Sequence, residues 1–467
     1  MSPMFTQYTY QDYMNTAEAD RPELIGRIIG QYKRSDEFTR AITAIQYFNA
    51  ENEGVQNKVL FKARAFSTVN GATYKQDTIV GNRVYSNFLF RFITQQNQYL
   101  LGNGVTLQDG AEKSKLGIGF DKKLEQMGEK ALLHGVCWGY WNNDHVEIIP
   151  AASDGLSGFV ALLDERTGAP MVGIQFWQLN ARRPQYVRLF EADGVTEYMR
   201  KDGKYTVTEE KRAYIETRTT DAAGTVSVEG DNYGVLPLVP FYANNEKRSE
   251  FTEAIKSKID LYDRIFSDFG DNLERANDVY WVLNNFGGTT KEIAKMIEQI
   301  NELKVIANIS DGVGNNSTAA PHAFEVPYNA RKTALELLRK ELYKDYMALE
   351  MDALTGGSLT NVAIEAAKTD LNLKCDRYEW QAFNFVQGIL KLAGIESEQI
   401  RFKRQDITNR SEVVNDIATM RDDIDIETAL KLNPYIDQEQ IEHIIMNRAA
   451  EQLSGLPTVK MLETVVE

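Results

Sequence analysis

Cysteine is nearly absent from this chain: Cys137 and Cys375 are the two among 467 residues. They stand far apart in apolar or helical surroundings and read as reduced core thiols, which excludes a disulfide framework. Histidine is as sparse, with His134, His145, His322 and His443 making up the four. None stands at ligand spacing from a cysteine or another histidine, so no zinc site and no other metal site is expected. No run approaches the roughly 18 uninterrupted apolar residues of a membrane span. The first 20 residues are polar and acidic, without a basic segment leading into an apolar one, so no secretory signal is expected. Such a chain is made and kept in the cytoplasm unless a larger particle carries it out. The Gly-x-x-x-x-Gly-Lys-Ser/Thr loop, the Gly-x-Ser-x-Gly elbow and His-Glu-x-x-His are all missing, and with them the commonest nucleotide, acyl-transfer and zinc-hydrolase chemistries. No cofactor is expected. Tandem repeats, low-complexity tracts and coiled-coil heptads are missing too.

What is present is ordinary in bulk: 43% hydrophobic and 25% charged residues, enough apolar material for sizeable cores and, by length, for about two to four domains. The net charge of −15 opposes the counterion-releasing grip of a sequence-specific DNA-binding module. It does not oppose contact with moving DNA, because an acidic wall repels phosphate and keeps a duplex from sticking.

Periodicity predicts helices over Glu23–Ala50, Asn82–Tyr99 and Phe120–Leu133, the last stopped at His134-Gly135. From Val136 to Phe241 the pattern becomes that of short strands. Asp193-Gly194 and Asp202-Gly203 between alternating segments predict hairpins in an antiparallel meander, because their central turn positions favour positive φ. Thr219–Asn232 reads as a surface loop or extended hairpin. After Pro237 and Pro240 the chain turns mostly helical.

The richest region is Glu250–Gly394. Ile255, Ile259, Tyr262, Phe266, Phe269 and Leu273 step by three and four, predicting a helix of about 37 Å at 1.5 Å per residue. Asp260, Asp263, Asp268, Asp271 and Glu274 lie off that stripe, as a solvated acidic face. Leu335, Leu338, Leu342, Tyr346 and Leu349 mark a second long helix, whose other faces carry Arg331, Lys332, Arg339, Lys340 and Lys344. One helix is acidic and the other basic, which suits packing side by side or against neighbouring subunits. Between them lies a small insert. It comprises a strand at Val279–Leu283, a capping box at Thr289 with Glu292, a helix bearing Ile293, Met296, Ile297, Ile300 and Leu303, and a strand at Val305–Ile309. A polar loop at Ser310–Ala320 and a third strand at Phe324–Val326 complete it.

Several of these segments, in this order, resemble the portal proteins of tailed bacteriophages of the long-tailed, non-contractile class. They are Asn82-Arg83-Val84 through Tyr99-Leu100-Leu101-Gly102; His134 through Tyr140; Gly234 through Phe241 with Asn244-Asn245; Ile259 through Asp263 with Ser267, Asn272 and Glu274; Ile400-Arg401-Phe402; and Asp425 through Leu430 with Asp437–Glu442. The likeness runs from about Asn82 to Gln452. No single segment is diagnostic, and their order and spacing carry the match.

The resemblance implies an α+β portal-type fold. In it, 1–249 is a mixed wing of N-terminal helices and antiparallel strands, 250–275 and 330–351 are two long stem helices, and 276–329 is a small α/β clip. Residues 352–361 are a tunnel loop, 362–398 the long wing helix and 399–467 a helical crown. It implies no enzyme, but a homo-oligomeric ring of about twelve copies at the portal vertex of the virion, made in the host bacterial cytoplasm. Double-stranded DNA passes through that ring without sequence specificity, for packaging and ejection. The implied partners are the large terminase, head-completion or adaptor proteins, the scaffold and the major capsid protein, and no membrane. Thr355, Gly356, Gly357, Ser358, Leu359, Thr360 and Asn361 would face DNA. Asp260, Asp263, Lys332, Arg339, Lys340 and Lys344 would meet between stems. Thr289, Lys291, Glu292 and Lys295 on the clip would meet partners.

The residues independently favour a pliable loop at 355–361, because Gly356-Gly357 frees the backbone and Thr360 or Asn361 caps the helix that follows. Members of the family often enter this helix through a Ser-Gly-x-Ala-Leu-like stretch. Here it reads Thr360-Asn361-Val362-Ala363-Ile364, which leaves the loop boundary open. Two other readings stay open at this point. One is a metal-dependent nuclease or hydrolase using the paired carboxylates Asp260/Asp263 and Asp268/Asp271. The other is a different head–tail connector, against which the length and the stem–clip–stem order count.

Overall fold

The computed structural model describes residues 6–56, 58–65, 74–107, 110–201, 203–220, 226–275, 280–284, 318–322, 327–351, 360–397, 399–405, 410–420, 425–433, 436, 441 and 444–447. They divide into one unit of Met1–Ala348 with Lys374–Arg404 and a second of Leu349–Leu373 with Gln405–Glu467.

The first unit opens with helices α1 (Tyr10–Asn15), α2 (Arg21–Tyr32) and α3 (Asp36–Phe48). The single helix expected over Glu23–Ala50 is therefore two. Ser35 makes the break: its hydroxyl donates to the Tyr32 carbonyl at 2.7 Å and accepts from the Phe38 N–H at 3.2 Å. One side chain thus closes α2 and caps α3, and the buried apolar residues step from Tyr32 to Phe38 across the joint, six residues instead of three or four. Next come β1 (Val59–Ala65) and β2 (Tyr74–Val80), an antiparallel pair, and then α4 (Phe88–Leu101). The expected helix start at Asn82 is displaced to Phe88, because 82–86 is extended and bonded elsewhere. After β3 (Val105–Leu107) and α5 (Gly110–Ser114), α6 (Phe120–His134) ends where its sequence stops it. Gly135 takes φ +90° and donates to the Ala131 carbonyl, a conformation that glycine adopts without steric cost.

The strand region follows: β4 (Val136–Asn142), β5 (His145–Pro150), β6 (Gly158–Leu163), β7 (Pro170–Trp177), β8 (Gln185–Glu191), β9 (Gly194–Lys201), β10 (Lys204–Arg212), β11 (Ile215–Thr220), β12 (Val226–Asp231) and β13 (Leu238–Tyr242). The expected meander is a five-stranded antiparallel sheet in the order β10-β9-β8-β7-β6, beside a three-stranded sheet β13-β4-β5. Thr219–Asn232, read as a loop or hairpin, lies largely in the hairpin β11–β12. Alternation along the large sheet sorts its side chains between two cores. Val160, Leu162, Ile174, Phe176, Val187 and Leu189 pack with Leu24, Ile25, Ile28 and Ile29 of α2. Phe159, Ala161, Phe190 and Val195 pack with Trp138, Tyr140 and Leu238 of the smaller sheet. Each large side chain so buried contributes about 1.5–3 kcal/mol.

Then come α7 (Glu253–Arg275), β14 (Tyr280–Asn284), β15 (Thr318–His322), α8 (Tyr328–Tyr346), α9 (Asn361–Leu392), β16 (Ile400–Phe402), α10 (Arg410–Thr419) and α11 (Ile426–Leu432). Three expectations change. The strand at Thr318–His322 pairs with β14 and overlaps the end of the loop read over Ser310–Ala320. Its Thr-Ala-Ala-Pro sequence has a single β-branched residue, and proline marks it as an edge. The second long helix, expected to reach Met351, stops at Tyr346. There Met347 turns left-handed at φ +61° and the Ala348 N–H bonds to the Tyr343 carbonyl at 2.9 Å. Finally, 399–467 does not begin helically, since Ile400–Phe402 pairs with β3 in the first unit.

The largest core joins α4, α6, β4 and the 374–392 part of α9 to the inner sides of α7 and α8. At its centre the Phe241 ring stacks on Phe385 at 5.1 Å and on Tyr378 at 5.7 Å. The architecture is α+β, with antiparallel sheets and helices segregated along the chain. Among the described residues, no helix is long and apolar enough to cross a membrane.

Candidate functional site

The two long helices α7 and α8 are the part of the chain that the sequence singles out. They pack antiparallel. Near one end Lys258 pairs with Asp345, and near the other the Phe269 and Tyr328 rings meet at 5.7 Å. Aromatic side chains fasten the pair to α4. Phe88 meets Tyr262 edge-on at 5.0 Å, and Phe92 meets Tyr343 at 5.1 Å and stacks on Tyr346 at 4.7 Å. At the far end of the pair, β14 and β15 pair antiparallel and draw the two ends of the inserted segment together.

The acidic side of α7 is only in part a solvated face, with Asp268 about half exposed. Asp263, Ser267 and Asp271 are buried and form a polar row that holds the extended segment 82–86 against the helix. The Asn82 N–H donates to Asp271 Oδ1 at 2.8 Å, the Val84 N–H to Ser267 Oγ at 2.9 Å and the Ser86 N–H to Asp263 Oδ1 at 3.0 Å. The match is one of pitch. Two residues of extended chain rise about 6.6 Å, and four residues of helix rise about 6 Å. Alternate amides of one element therefore face successive turns of the other. This is why 82–86 stays out of α4: its donors have partners that a helix would take away.

The remaining valences of the row are filled from 47–58. Tyr47 Oη donates to Asp260, Asn52 Nδ2 to Asp263, and Lys58 bridges Asp271 and Asp268, the latter at 2.8 Å. Lys256 lies 3.0 Å from Asp260 and 3.1 Å from Glu53. Burial raises the Asp263 carboxyl above the usual aspartate range, against hydrogen bonds that pull it down. Burial raises the Tyr47 hydroxyl, and its bond to Asp260 raises it further. Burial pulls the Lys256 ammonium down, but its hydrogen bonds to Asp260, Tyr47 and Glu53 outweigh that and raise it.

Asp260 and Asp263, expected between subunits, are thus occupied inside their own chain, and Asp263 is 0% exposed. The same contacts speak against a metal-dependent nuclease here. Two lysine ammoniums and an asparagine amide stand where a divalent ion and its waters would coordinate. No cluster of three or more His, Cys, Asp or Glu among the described residues has the arrangement of a metal site.

Of the basic residues, Lys332, Lys340 and Lys344 are exposed on α8 and Arg339 is half-buried. Lys332 reaches Glu336 one turn on, at 3.9 Å. Thr360 caps α9 by accepting the Ala363 N–H at 3.3 Å, and Asn361 opens that helix. Thr355, Gly356, Gly357, Ser358 and Leu359 lie outside the described residues, as do Thr289, Lys291, Glu292 and Lys295.

Sequence reasoning missed Asn52, Lys58, Lys256 and Ser267. The signal was there: Asp260, Asp263, Ser267 and Asp271 step by three, four and four, a polar stripe as regular as the apolar one. It also missed Lys374, which is half-buried between α8 and α9 and pairs with Glu250 at 3.0 Å.

Comparison with known proteins sets this helix pair in a family. The family described as phage portal protein, SPP1 Gp6-like, matches residues 30–452. The portal protein of Bacillus phage SPP1 is 24% identical over 453 residues, covering 89% of this chain and 85% of that protein. The portal protein of Clostridium phage phiCD119 is 27% identical over 237 residues, 48% of this chain and 50% of that one. The chain thus spans about half the length of the phiCD119 protein and most of the SPP1 protein. With a match that runs through both sheets, the helix pair and the C-terminal helices, the chain belongs to the SPP1 Gp6-like family of phage portal proteins.

Proposed function

We propose that this portal protein assembles as a closed homo-oligomeric ring of about twelve copies at one capsid vertex. DNA passes through its centre during packaging and ejection. In this reading α7 and α8 are the stem, and the segment between them is the clip, which docks the large terminase during packaging and the head-completion proteins afterwards. Thr289, Lys291, Glu292 and Lys295 lie on that docking surface. Residues 352–361 form the tunnel loop. Scaffold and major capsid protein surround the wing. The role is mechanical and electrostatic, and the terminase supplies ATP hydrolysis.

The observation that carries the reading is the antiparallel pair α7/α8 bracketing a segment whose two ends are joined by β14–β15. A heterologous contact repeated around an axis closes into a ring when its rotation divides a full turn. The exposed Lys340 and Lys344 on α8 then meet carboxylates of the next subunit. Such pairs set register more than they add stability.

Light scattering and negative-stain images of the purified full chain test the assembly. Rings with a central hole are expected. A chain that stays monomeric at every concentration, and also when co-expressed with its capsid and scaffold proteins, overturns it.

A further inference from the structure

A groove of about 1400 Å³ runs between α2 and the β9–β10 hairpin, far in sequence from the helix pair. The inner side of α2, with Leu24, Ile25, Ile28 and Ile29, is buried against the large sheet. The side that faces the groove carries Gly26, Arg27, Gly30 and Arg34. The two glycines do different things. A Cβ on Gly26 would lie 2.7 Å from the Tyr205 ring, so the bare backbone lets that ring lie on the helix. A Cβ on Gly30 would meet nothing within 4 Å, so the floor of the groove is open there.

Arg27, Arg34, Arg200 and Lys204 line this groove, and Glu23 is the one carboxylate among the described lining residues. None of the four cations is held in an ion pair among the described residues. Arg200 lies over the Tyr205 ring at 5.5 Å, and Tyr205 Oη donates to Gln185 Oε1 at 2.8 Å, which fixes the wall before anything binds. An adjoining depression shares Arg200 and Tyr205 and adds Lys33 and Arg183. In a chain of net charge −15, cations that have no ion-pair partner among the described residues, gathered along one trough, make a local positive field that selects an anionic partner.

We propose that this groove docks an extended acidic peptide segment of a partner protein. Its volume exceeds the roughly 300–1,000 Å³ of a small-molecule site. Its lining mixes side-chain amides, Gln7 and Gln31, with the apolar surfaces of Ala19, Pro22 and Tyr205. That mixture suits an extended peptide, which needs partners for its backbone and surface for its side chains. The proposal stands independently of ring assembly.

The test uses the full chain and a short fluorescein-labelled peptide alternating Glu with Ala, followed by anisotropy. Binding to the wild type is expected, with at least about tenfold weakening in Arg27→Glu/Arg200→Glu. Gly30→Leu changes no charge and fills the open floor, and is expected to weaken binding as strongly. Thermal melts should show both variants cooperatively folded, with Gly30→Leu at or slightly above the wild type because leucine favours a helix interior over glycine by about 0.5–1 kcal/mol. Three results overturn the proposal: no binding of the peptide to the wild type, wild-type binding by Gly30→Leu, or displacement of the peptide by duplex DNA with the same dependence on both variants. The last would assign the groove to phosphate.

Discussion

The Lys374 ammonium lies 3.3 Å from the centre of the Tyr346 ring and donates to the Tyr346 carbonyl at 2.8 Å. That carbonyl belongs to the last turn of α8, where helical acceptors run out of donors. One lysine thus caps α8, places a cation on the ring that ends it, and pairs with Glu250 at 3.0 Å. Burial lowers the Lys374 pKa, and Glu250 opposes the shift. Lys374→Met keeps the length of the side chain, takes the donor from the Tyr346 carbonyl and removes the cation from Glu250, whose other donor is the Asn244 amide. A loss of about 2–3 kcal/mol is expected in urea unfolding. Adding Glu250→Gln should recover part of it, because the two substitutions act on one contact.

Asp263 provides a pH-dependent test of the polar row. Burial raises its pKa in the folded chain, so just above the unfolded value of 3.8 the folded state holds more protons than the unfolded one. This group's contribution to stability therefore declines as pH rises through that interval. Asp263→Asn removes the titration. It also turns an amide donor toward either the Ser86 N–H or the Asn52 amide. The variant should be about 1–3 kcal/mol less stable at neutral pH. Its deficit should be larger at the acid side of the interval than at the alkaline side. A deficit that does not change with pH would refute the shift.

His134 bears on the opposite sign. It ends α6, is buried, and has no hydrogen-bond partner for either ring nitrogen among the described residues. Burial, with Lys130 adding to it, lowers its pKa from 6.5 to about 3. Between those values the unfolded chain takes up a proton that the folded chain refuses. Stability from this group is present above 6.5 and is lost as pH falls, at up to about 1.4 kcal/mol per pH unit. His134→Leu should flatten the acid limb of the stability curve and leave the neutral value nearly unchanged. An unchanged acid limb would mean that the imidazole is already charged in the fold.

What the sequence made legible is what local chemistry decides alone. His134-Gly135 stops α6 because only the glycine conformation is needed there. Asp193-Gly194 locates the β8–β9 hairpin, but Glu191 pairs with Gly194, so Ala192 and Asp193 are the central turn residues and Gly194, at φ +148°, begins β9. The apolar steps of α7 and α8 place both helices within a few residues. The failures share one cause, which is tertiary donors and acceptors overriding local pattern. Val84 and Phe88 look like one apolar face until α7 offers oxygens to the amides of 82–86. Asp263 and Asp271 look like solvent-facing carboxylates until Asn52 and Lys58, more than 200 residues earlier, close over them. At Ser35 the signal was a capping hydroxyl together with a six-residue gap in the apolar steps, from Tyr32 to Phe38.

The loop before α9 gives the last prediction. Thr360 caps that helix through the Ala363 N–H. Deleting Gly356–Thr360 brings Thr355 directly before Asn361 and restores a Thr-Asn-Val start, so the cap survives the deletion. The helix pair, the polar row and the Lys374 contact lie outside the deleted residues. Rings and melting temperature should therefore be unchanged. If these residues line the tunnel, the duplex loses an uncharged contact, and the amount of nuclease-protected DNA per particle in a packaging reaction should fall. Wild-type packaging by rings of the deletion variant would remove the tunnel role. Failure of the variant to form rings would make the loop an assembly element instead.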